Sequence, residues 1–194
     1  MPDDLPLLAR KQRRAREKIV EAAFDLFEER SFSEVTVTDI ATRAEVGRTT
    51  FFRYFGDKQE VVFADEQRML ETLASERHTA APADLDAALV RLRDLVVLLC
   101  QEVTKDAAHY ERHEKLLARN SELYDRSVRK LQRFADEMTD ILIGDGAGRT
   151  IAVLAPQLAL ACYYTGRRIA GTDPAALIPA VESAFAELAS VRKR

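Results

Sequence analysis

Two sets of side chains in this sequence have the types and the spacing to do chemistry. The first is a run of cations, Arg10, Lys11, Arg13, Arg14, Arg16 and Lys18, opposed by the single acid Glu17. The second is Arg48-Thr49-Thr50, which follows Gly47 and leads into Phe51-Phe52-Arg53-Tyr54-Phe55. Arginine and threonine donate hydrogen bonds to phosphate oxygens, and a guanidinium pairs two-pronged with the major-groove edge of guanine. A helix with such residues in front and aromatics behind has an end for a duplex and a rear for a small core. Arg48 is the candidate for a base-edge contact, with Thr49 and Thr50 beside it, and Arg43 and Arg53 add charge nearby. Arg14 and Arg16 represent the cationic run as candidates to neutralise phosphates or enter a minor groove. A solvated charged helix start is the plainer reading of any single one of those cations. Phe51, Phe52 and Phe55 include core aromatics by default, with Phe55 the structural one.

These groups need a frame, and residues 35–58 supply it as two short helices joined by a turn. Thr36 is placed to cap the first helix, with Asp39 three residues on to reinforce the start. Val37, Ile40, Ala41 and Ala44 recur at helical spacing and form its buried face. Glu45-Val46-Gly47 reads as the turn, with Val46 as an apolar plug and Gly47 as the residue free to adopt unusual backbone angles. Gly56 ends the second helix, and Asp57 caps a further one, with Glu60 three residues on.

This stretch resembles the tetracycline-repressor (TetR) family of bacterial regulators. Its pattern is a Thr-led helix ending Ile-Ala-x-x-Ala-Gly-Val, then Ser-x-x-Thr-Leu-Tyr-x-Tyr/His-Phe, then a Lys that opens the next helix. Ile40, Ala41, Ala44, Val46, Thr50, Tyr54, Phe55 and Lys58 match. Glu45 stands where the pattern has Gly, Gly47 where Ser is common, and Phe52 where Tyr is usual, so Phe52 lacks a hydroxyl for a phosphate. The resemblance covers residues 15–65. It implies that Thr36, Tyr54 and Lys58 contact phosphates and that Phe52 lies at the same surface. It also implies an all-α fold of about nine helices, a homodimer, a pseudo-palindromic double-stranded DNA operator and a small hydrophobic effector. Family members share architecture but little sequence beyond the head.

Composition sets the bounds. The 194 residues suffice for one large or two small domains, and 47% hydrophobic against 31% charged residues fits a chain with a real core. Seven Gly and six Pro, amid abundant Ala, Leu, Glu and Arg, argue for a nearly all-helical chain. The formal net charge is −3, so any positive field is local. Cys100 and Cys162 lie far apart in apolar helical segments and read as buried thiols. Leu5–Ala9 is too short for a leader's apolar core and precedes the basic run. The longest apolar stretch, residues 151–164, is broken by Pro156 and Gln157 and is shorter than the roughly 20 residues a bilayer span needs. A cytoplasmic protein is expected.

Along the chain, residues 1–9 read as loosely attached, and the first helix runs from Arg10 or Ala15 to Arg30. The division expected is a helix-turn-helix DNA-binding domain over residues 10–56 and a helical regulatory and dimerisation domain over 57–194. A continuous helix is expected from Asp57 to His78, joining the two. Helices over residues 82–104, 107–118, 120–143, 149–170 and 174–191 follow, with Pro174 at a first helical position after Asp173. Pro156 is expected to kink or loosen its helix. Leu154, Leu158, Cys162, Thr165 and Ile169 line one stripe of the last pair, and Leu177, Val181, Phe185 and Leu188 another. That apolar surface suggests a four-helix bundle made by two copies, against the alternative that both stripes pack on their own body. Its many alanines keep the pair slender, so backbones can approach closely.

By resemblance the body also encloses a ligand cavity, for which Leu92, Val96, Cys100, Tyr110, Tyr124, Val128, Tyr163 and Tyr164 are the candidate lining residues. Each is equally a candidate for ordinary core. His109 and His113 stand four apart beside Glu114, but the pattern is not H-E-x-x-H and no third metal ligand is apparent. No phosphate loop, nucleophile elbow or dinucleotide turn occurs, so neither a cofactor nor an enzymatic activity is implied. The reading is a DNA-binding transcriptional regulator, a repressor released by a small molecule. The alternative classes are a helical metabolite- or protein-binding module that does not act on DNA, and a helical enzyme.

Overall fold

The structure, a computed structural model, describes residues 7–75 and 80–192, with backbone alone for residues 7–9 and 192. Ten α-helices and no strands occur among the described residues. The chain divides into two compact units, residues 1–64 and 65–194.

The first unit contains α1 (Leu7–Glu29), α2 (Val37–Arg43), α3 (Arg48–Tyr54) and α4 (Lys58–Val62). α1 buries Ile19, Ala22, Ala23, Phe24, Leu26 and Phe27, spaced by three and four, and α2 answers with Ile40, Ala41 and Ala44. Phe32 plugs the link between them and lies 4.8 Å, centroid to centroid, from Phe27. α2 starts with the expected capping box: the Asp39 N–H donates to Thr36 Oγ1 at 3.2 Å, and the Thr36 N–H donates to Asp39 Oδ2 at 2.8 Å. The same backbone N–H, with the Thr36 hydroxyl after it, holds the Asp39 carboxyl below its ordinary value. The turn differs from expectation. Glu45, not Gly47, takes the left-handed backbone, at φ 56°, while Gly47 is extended at φ −72° and caps α3. α1 also begins at Leu7, before either start read from the sequence; residues 1–6 lie outside the described residues.

The long helix expected over residues 57–78 is interrupted. Phe63 and Ala64 donate to Glu60 and Val61, at 3.2 and 3.3 Å, so the ladder tightens into one-turn bonds and stops. No glycine or proline marks that break. α4 packs on α1 within the first unit, whose limit is residue 64 rather than 56. α5 (Glu66–Ser75) then begins the second unit; residues 76–79, including the expected end at His78, lie outside the described residues.

The second unit continues with α6 (Leu85–Thr104), α7 (Ala107–Arg119), α8 (Ser121–Gly144), α9 (Arg149–Ala170) and α10 (Pro174–Arg192). Its core joins Leu89, Leu92, Val96 and Cys100 of α6 to Phe134, Met138 and Leu142 of α8 and to the inner faces of α9 and α10. Ala152, Ala155, Ala159 and Gly166 make the inner face of α9 thin, and α10 closes on it. A Cβ built on Gly166 would lie 2.7 Å from the Val181 backbone, so only glycine fits there. α9 runs through the buried Pro156 without ending. Asp173 Oδ1 accepts from the Ala175 N–H at 2.9 Å, which starts α10 at Pro174 as expected. Glu66 at the head of α5 accepts from Lys130 and, at 2.8 Å, from Arg133 on α8.

Packing assigns much of the last helix pair to the chain's own core. Cys162, Leu177, Val181 and Phe185 are buried in that core, and Leu158 and Leu188 pack against it. Those side chains are therefore already covered within one chain. Leu154, Thr165 and Ile169 remain exposed on α9, Ile169 at 68%. Among the described residues one helix, α10, is long and apolar enough to cross a membrane, with mean hydropathy 1.2 over Pro174–Val191. It carries exposed Glu182 and Glu187 opposite the buried Leu177 and Val181, as a bundle helix does.

Candidate nucleic-acid interface

α3 is anchored from behind. Phe51 is fully buried, Phe55 nearly so, and their rings lie 5.8 Å apart. Turned away from that anchor, Arg48 and Thr49 are exposed and make no side-chain hydrogen bond or ion pair within the chain, and Thr50 is half-buried behind them. Phe52 stands out at 49% exposure, with its ring edge-on to Phe51 at 5.5 Å. A large apolar ring in that position covers the anchor and offers a partner no hydroxyl.

Not all of the predicted cations are available. Lys11 and Arg14 of α1 are exposed and form no ion pair among the described residues. Arg13 pairs with Glu17 at 2.8 Å, and Lys18 with Glu45 at 3.3 Å, both in solvent. Arg16 is half-buried: its guanidinium donates to the Ala64 carbonyl and lies 5.3 Å from the Phe55 ring centroid. It ties α1 to the end of α4 and to the root of α3, which is a structural task. Lys58 is engaged likewise. Its ammonium donates to the Phe32, Ser33 and Val35 carbonyls at 2.7, 3.3 and 2.8 Å and sits 4.5 Å from the Phe32 ring centroid. It thereby holds the link between α1 and α2 against α4, in the turn that carries Thr36. Arg43 makes a two-pronged pair with Glu29 at 2.9 and 2.8 Å, and its hydrogen bond holds the Glu29 carboxyl below its ordinary value. Arg53 stacks on Tyr54, guanidinium carbon 5.1 Å from the ring centroid.

Exposed Thr36, Arg48 and Thr49 and half-exposed Tyr54, with Lys11 and Arg14 on α1, can donate hydrogen bonds or carry positive charge to a polyanion. Arg16 and Lys58 instead support the fold of the head, through the carbonyls they hold. Sequence reading missed that supporting role because the type and position of a cation do not reveal which carbonyls the fold brings to it.

In the second unit the candidate ligand residues separate. Val96 and Tyr163 line a small apolar cavity of about 40 Å³, with Met69, Leu131, Phe134 and Met138 among their neighbours. Tyr124 and Tyr164 line a larger pocket of about 310 Å³ with Glu114, Arg167, Arg168 and Thr172. Leu92, Cys100 and Tyr110 are core, and burial pushes the Cys100 thiol up to about 12. Val128 is partly exposed, and its carbonyl accepts from the Tyr164 hydroxyl at 3.3 Å. Of the histidines, His113 lies against Glu114 at 3.1 Å, and no group of three metal-ligating side chains occurs among the described residues.

Arg167 and Glu114 were not read as a pair from the sequence. The Arg167 Nε donates to Glu114 Oε2 at 2.9 Å, and both side chains are nearly buried. Burial opposes the Glu114 charge, but the His113 and Arg167 contacts outweigh it and hold the carboxyl below its ordinary value. The available signal was an arginine on the face of α9 that otherwise carries Ala159, Cys162, Gly166 and Ala170.

Comparison with known proteins addresses the head. Residues 19–64 match the family described as "Bacterial regulatory proteins, tetR family". The HTH-type transcriptional repressor Rv3405c of Mycobacterium tuberculosis is 39% identical over 67 residues, 34% of this chain and 36% of that protein. The HTH-type transcriptional regulator TcmR of Streptomyces glaucescens is 40% identical over 60 residues, 31% of this chain and 26% of its own length. The matched part of the chain thus spans 36% and 26% of the length of these two curated relatives. SmeT, the repressor of the Stenotrophomonas maltophilia multidrug efflux pump SmeDEF, shares the fold over both units. The match has a TM-score of 0.54 at 21% identity, covering 89% of each chain. The SmeT–triclosan complex gives 0.57 at 18%, covering 89% of this chain and 90% of the other. The helix-turn-helix with its capping box and aromatic anchor lies within the matched residues, and the head of this chain, residues 19–64, is a domain of the tetR family of bacterial regulatory proteins.

Proposed function

We propose that this protein is a homodimeric, sequence-specific DNA-binding transcriptional repressor, acting in the cytoplasm and released from its operator by a small molecule. One observation carries the reading: Arg48 and Thr49 lead a short helix that is anchored by Phe51 and Phe55, and both are solvent-exposed without partners. In the proposed complex Arg48 reads a base edge. Thr49 and Thr50 flank it, Thr36 and Tyr54 meet phosphates, and Lys11 and Arg14 add charge along the backbone. The similarity of the head to the repressor Rv3405c supports this reading.

The proposed dimer face is the part of α9 and α10 that the chain does not cover itself, with Leu154, Thr165 and Ile169 at its centre. Two heads would then occupy half-sites about 34–36 Å apart, or a multiple of that. For the effector, the apolar cavity beside Val96 and Tyr163 is the seat proposed for a hydrophobic molecule. At about 40 Å³ it must widen, and Met69 and Met138 are the flexible side chains that would yield. An effector releases DNA only as far as it binds the two conformers unequally. No catalytic step is proposed.

The test is selection of bound duplexes from random DNA, with light scattering of the free protein. The expected result is a dimer and an enriched site with twofold symmetry. A monomer at micromolar concentration, or a pool without enrichment, overturns the proposal.

A further inference from the structure

A pocket of the second unit lined by Glu114, Arg167 and Arg168 holds an unused hydrogen-bonding edge. Arg167 is 8% exposed. Its Nε is taken by Glu114 at 2.9 Å and its Nη1 by the Ser127 hydroxyl at 3.4 Å. Among the described residues Nη2 meets no acceptor. It is not sealed in either, since the one fully enclosed, unpartnered side-chain polar atom among the described residues is Arg91 Nε. Arg167 lines a pocket of about 310 Å³, at the lower end of the roughly 300–1,000 Å³ that small-molecule sites occupy.

The rest of the wall fits one kind of ligand. Arg168 lines the same pocket and forms no ion pair among the described residues. Glu114 cancels Arg167, so the pocket walls carry one net positive charge, that of Arg168. This suits a monoanion; a phosphate dianion would meet Glu114 at close range with a single compensating charge. The Tyr124 and Tyr164 rings give flat apolar surface, and the Thr172 hydroxyl adds a donor at the rim. A guanidinium edge next to a flat wall binds a planar carboxylate in a directed way.

We propose that this pocket is a binding site for a small aromatic or flat apolar monocarboxylate, its carboxylate held by Arg167 Nη2 and Arg168 and its ring against Tyr124 and Tyr164. The site is separate from the apolar cavity lined by Val96 and Tyr163. Arg167 on α9 also holds Glu114 on α7 through Nε, so a carboxylate on Nη2 binds the same guanidinium that joins these helices. As an effector site the pocket rests on the regulatory reading above; as a binding site it does not.

The test uses DNA-free, full-length protein titrated by calorimetry with benzoate, 1-naphthoate and biphenyl-4-carboxylate, each beside its uncharged primary amide. At least one acid is expected to saturate one site per chain by about 5 mM, with its amide roughly tenfold weaker or worse. Arg168→Gln is expected to weaken that acid by roughly threefold to tenfold. The double variant Glu114→Met with Arg167→Met removes opposite charges together and leaves the net charge unchanged. It is expected to abolish binding while the thermal unfolding midpoint stays near that of the parent, since exchanging a buried pair for apolar groups is often neutral. If the double variant does not fold, Arg168→Gln and the amides still decide. No acid saturating by about 5 mM, equal binding of acid and amide, or unchanged binding in Arg168→Gln overturns the proposal. Operator binding is read in a separate experiment on DNA, so its failure would leave this result standing, and the reverse.

Discussion

α3 and the α9–α10 pair treat side chains in opposite ways. α3 keeps one face on Phe51 and Phe55 and leaves Arg48 and Thr49 in solvent, with nothing within the chain to hold them. α9 and α10 approach so closely that Gly166 faces the Val181 backbone with no room for a methyl group. Substitution on the exposed side of α3 should therefore change what the protein binds and leave its fold alone. Substitution between α9 and α10 should change the fold first. Arginine shows the same contrast: Arg48 is free in solvent, whereas Arg167 is buried, paired with Glu114 and fixed in direction.

The sharpest way to break this contrast is Gly166→Ala. The added carbon would run into Val181 Cγ2 as well as the Val181 backbone, and a helix axis cannot yield as a side chain can. Loss of about 3 kcal/mol or more is expected, at or above the upper end for overpacking. Thermal unfolding would show this as a fall on the order of 10 °C. An unchanged midpoint would mean that the two helices are not in such close contact.

Next comes Arg48→Ala. If the guanidinium reads a base, affinity for a selected operator should fall by about 1–3 kcal/mol, roughly tenfold to a hundredfold. The unfolding midpoint should move little, because Arg48 is exposed and forms no hydrogen bond or ion pair among the described residues. Equal weakening on all DNA sequences would make Arg48 a phosphate contact instead. Lys58→Met sharpens the same point from beneath. Its ammonium holds three carbonyls, so this variant should lower the head's stability as well as its affinity, and a purely functional loss would place the ammonium on DNA.

A smaller effect is expected from pH. The folded Glu114 carboxyl lies below its ordinary value of 4.5, so its contribution is complete above that pH. That contribution is lost as the pH falls through the folded value. Unfolding midpoints of the parent should drop faster below pH 4.5 than those of the double variant lacking Glu114 and Arg167. Parallel curves would deny the pair that role.

The smallest effect has the opposite sign. Glu45 holds φ 56°, a left-handed backbone that costs a non-glycine residue about 1 kcal/mol. Glu45→Gly should stabilise the head by about 0.5–1 kcal/mol, reduced by glycine's greater freedom when unfolded and by loss of the exposed contact with Lys18. Destabilisation would show that the turn is not strained.

The sequence by itself determined the helices, the helix-turn-helix and the face of α3 that meets solvent. Each rests on interactions within a few residues: the Thr36–Asp39 box, the apolar spacing of α1 and α2, and the order of Arg48, Thr49, Thr50 and Phe51. Tertiary structure decided the rest, because it depends on which groups arrive from distant parts of the chain. Lys58 reads as a phosphate contact until the Phe32, Ser33 and Val35 carbonyls surround it, and Arg16 until Ala64 and Phe55 do. Leu177, Val181 and Phe185 read as a surface for a second copy until α9 covers them. The break after Val62, the left-handed Glu45 and the Arg167–Glu114 pair have no local signature. A hydrogen bond or a close helix approach is a property of two segments, and their distance is set only when the whole body packs.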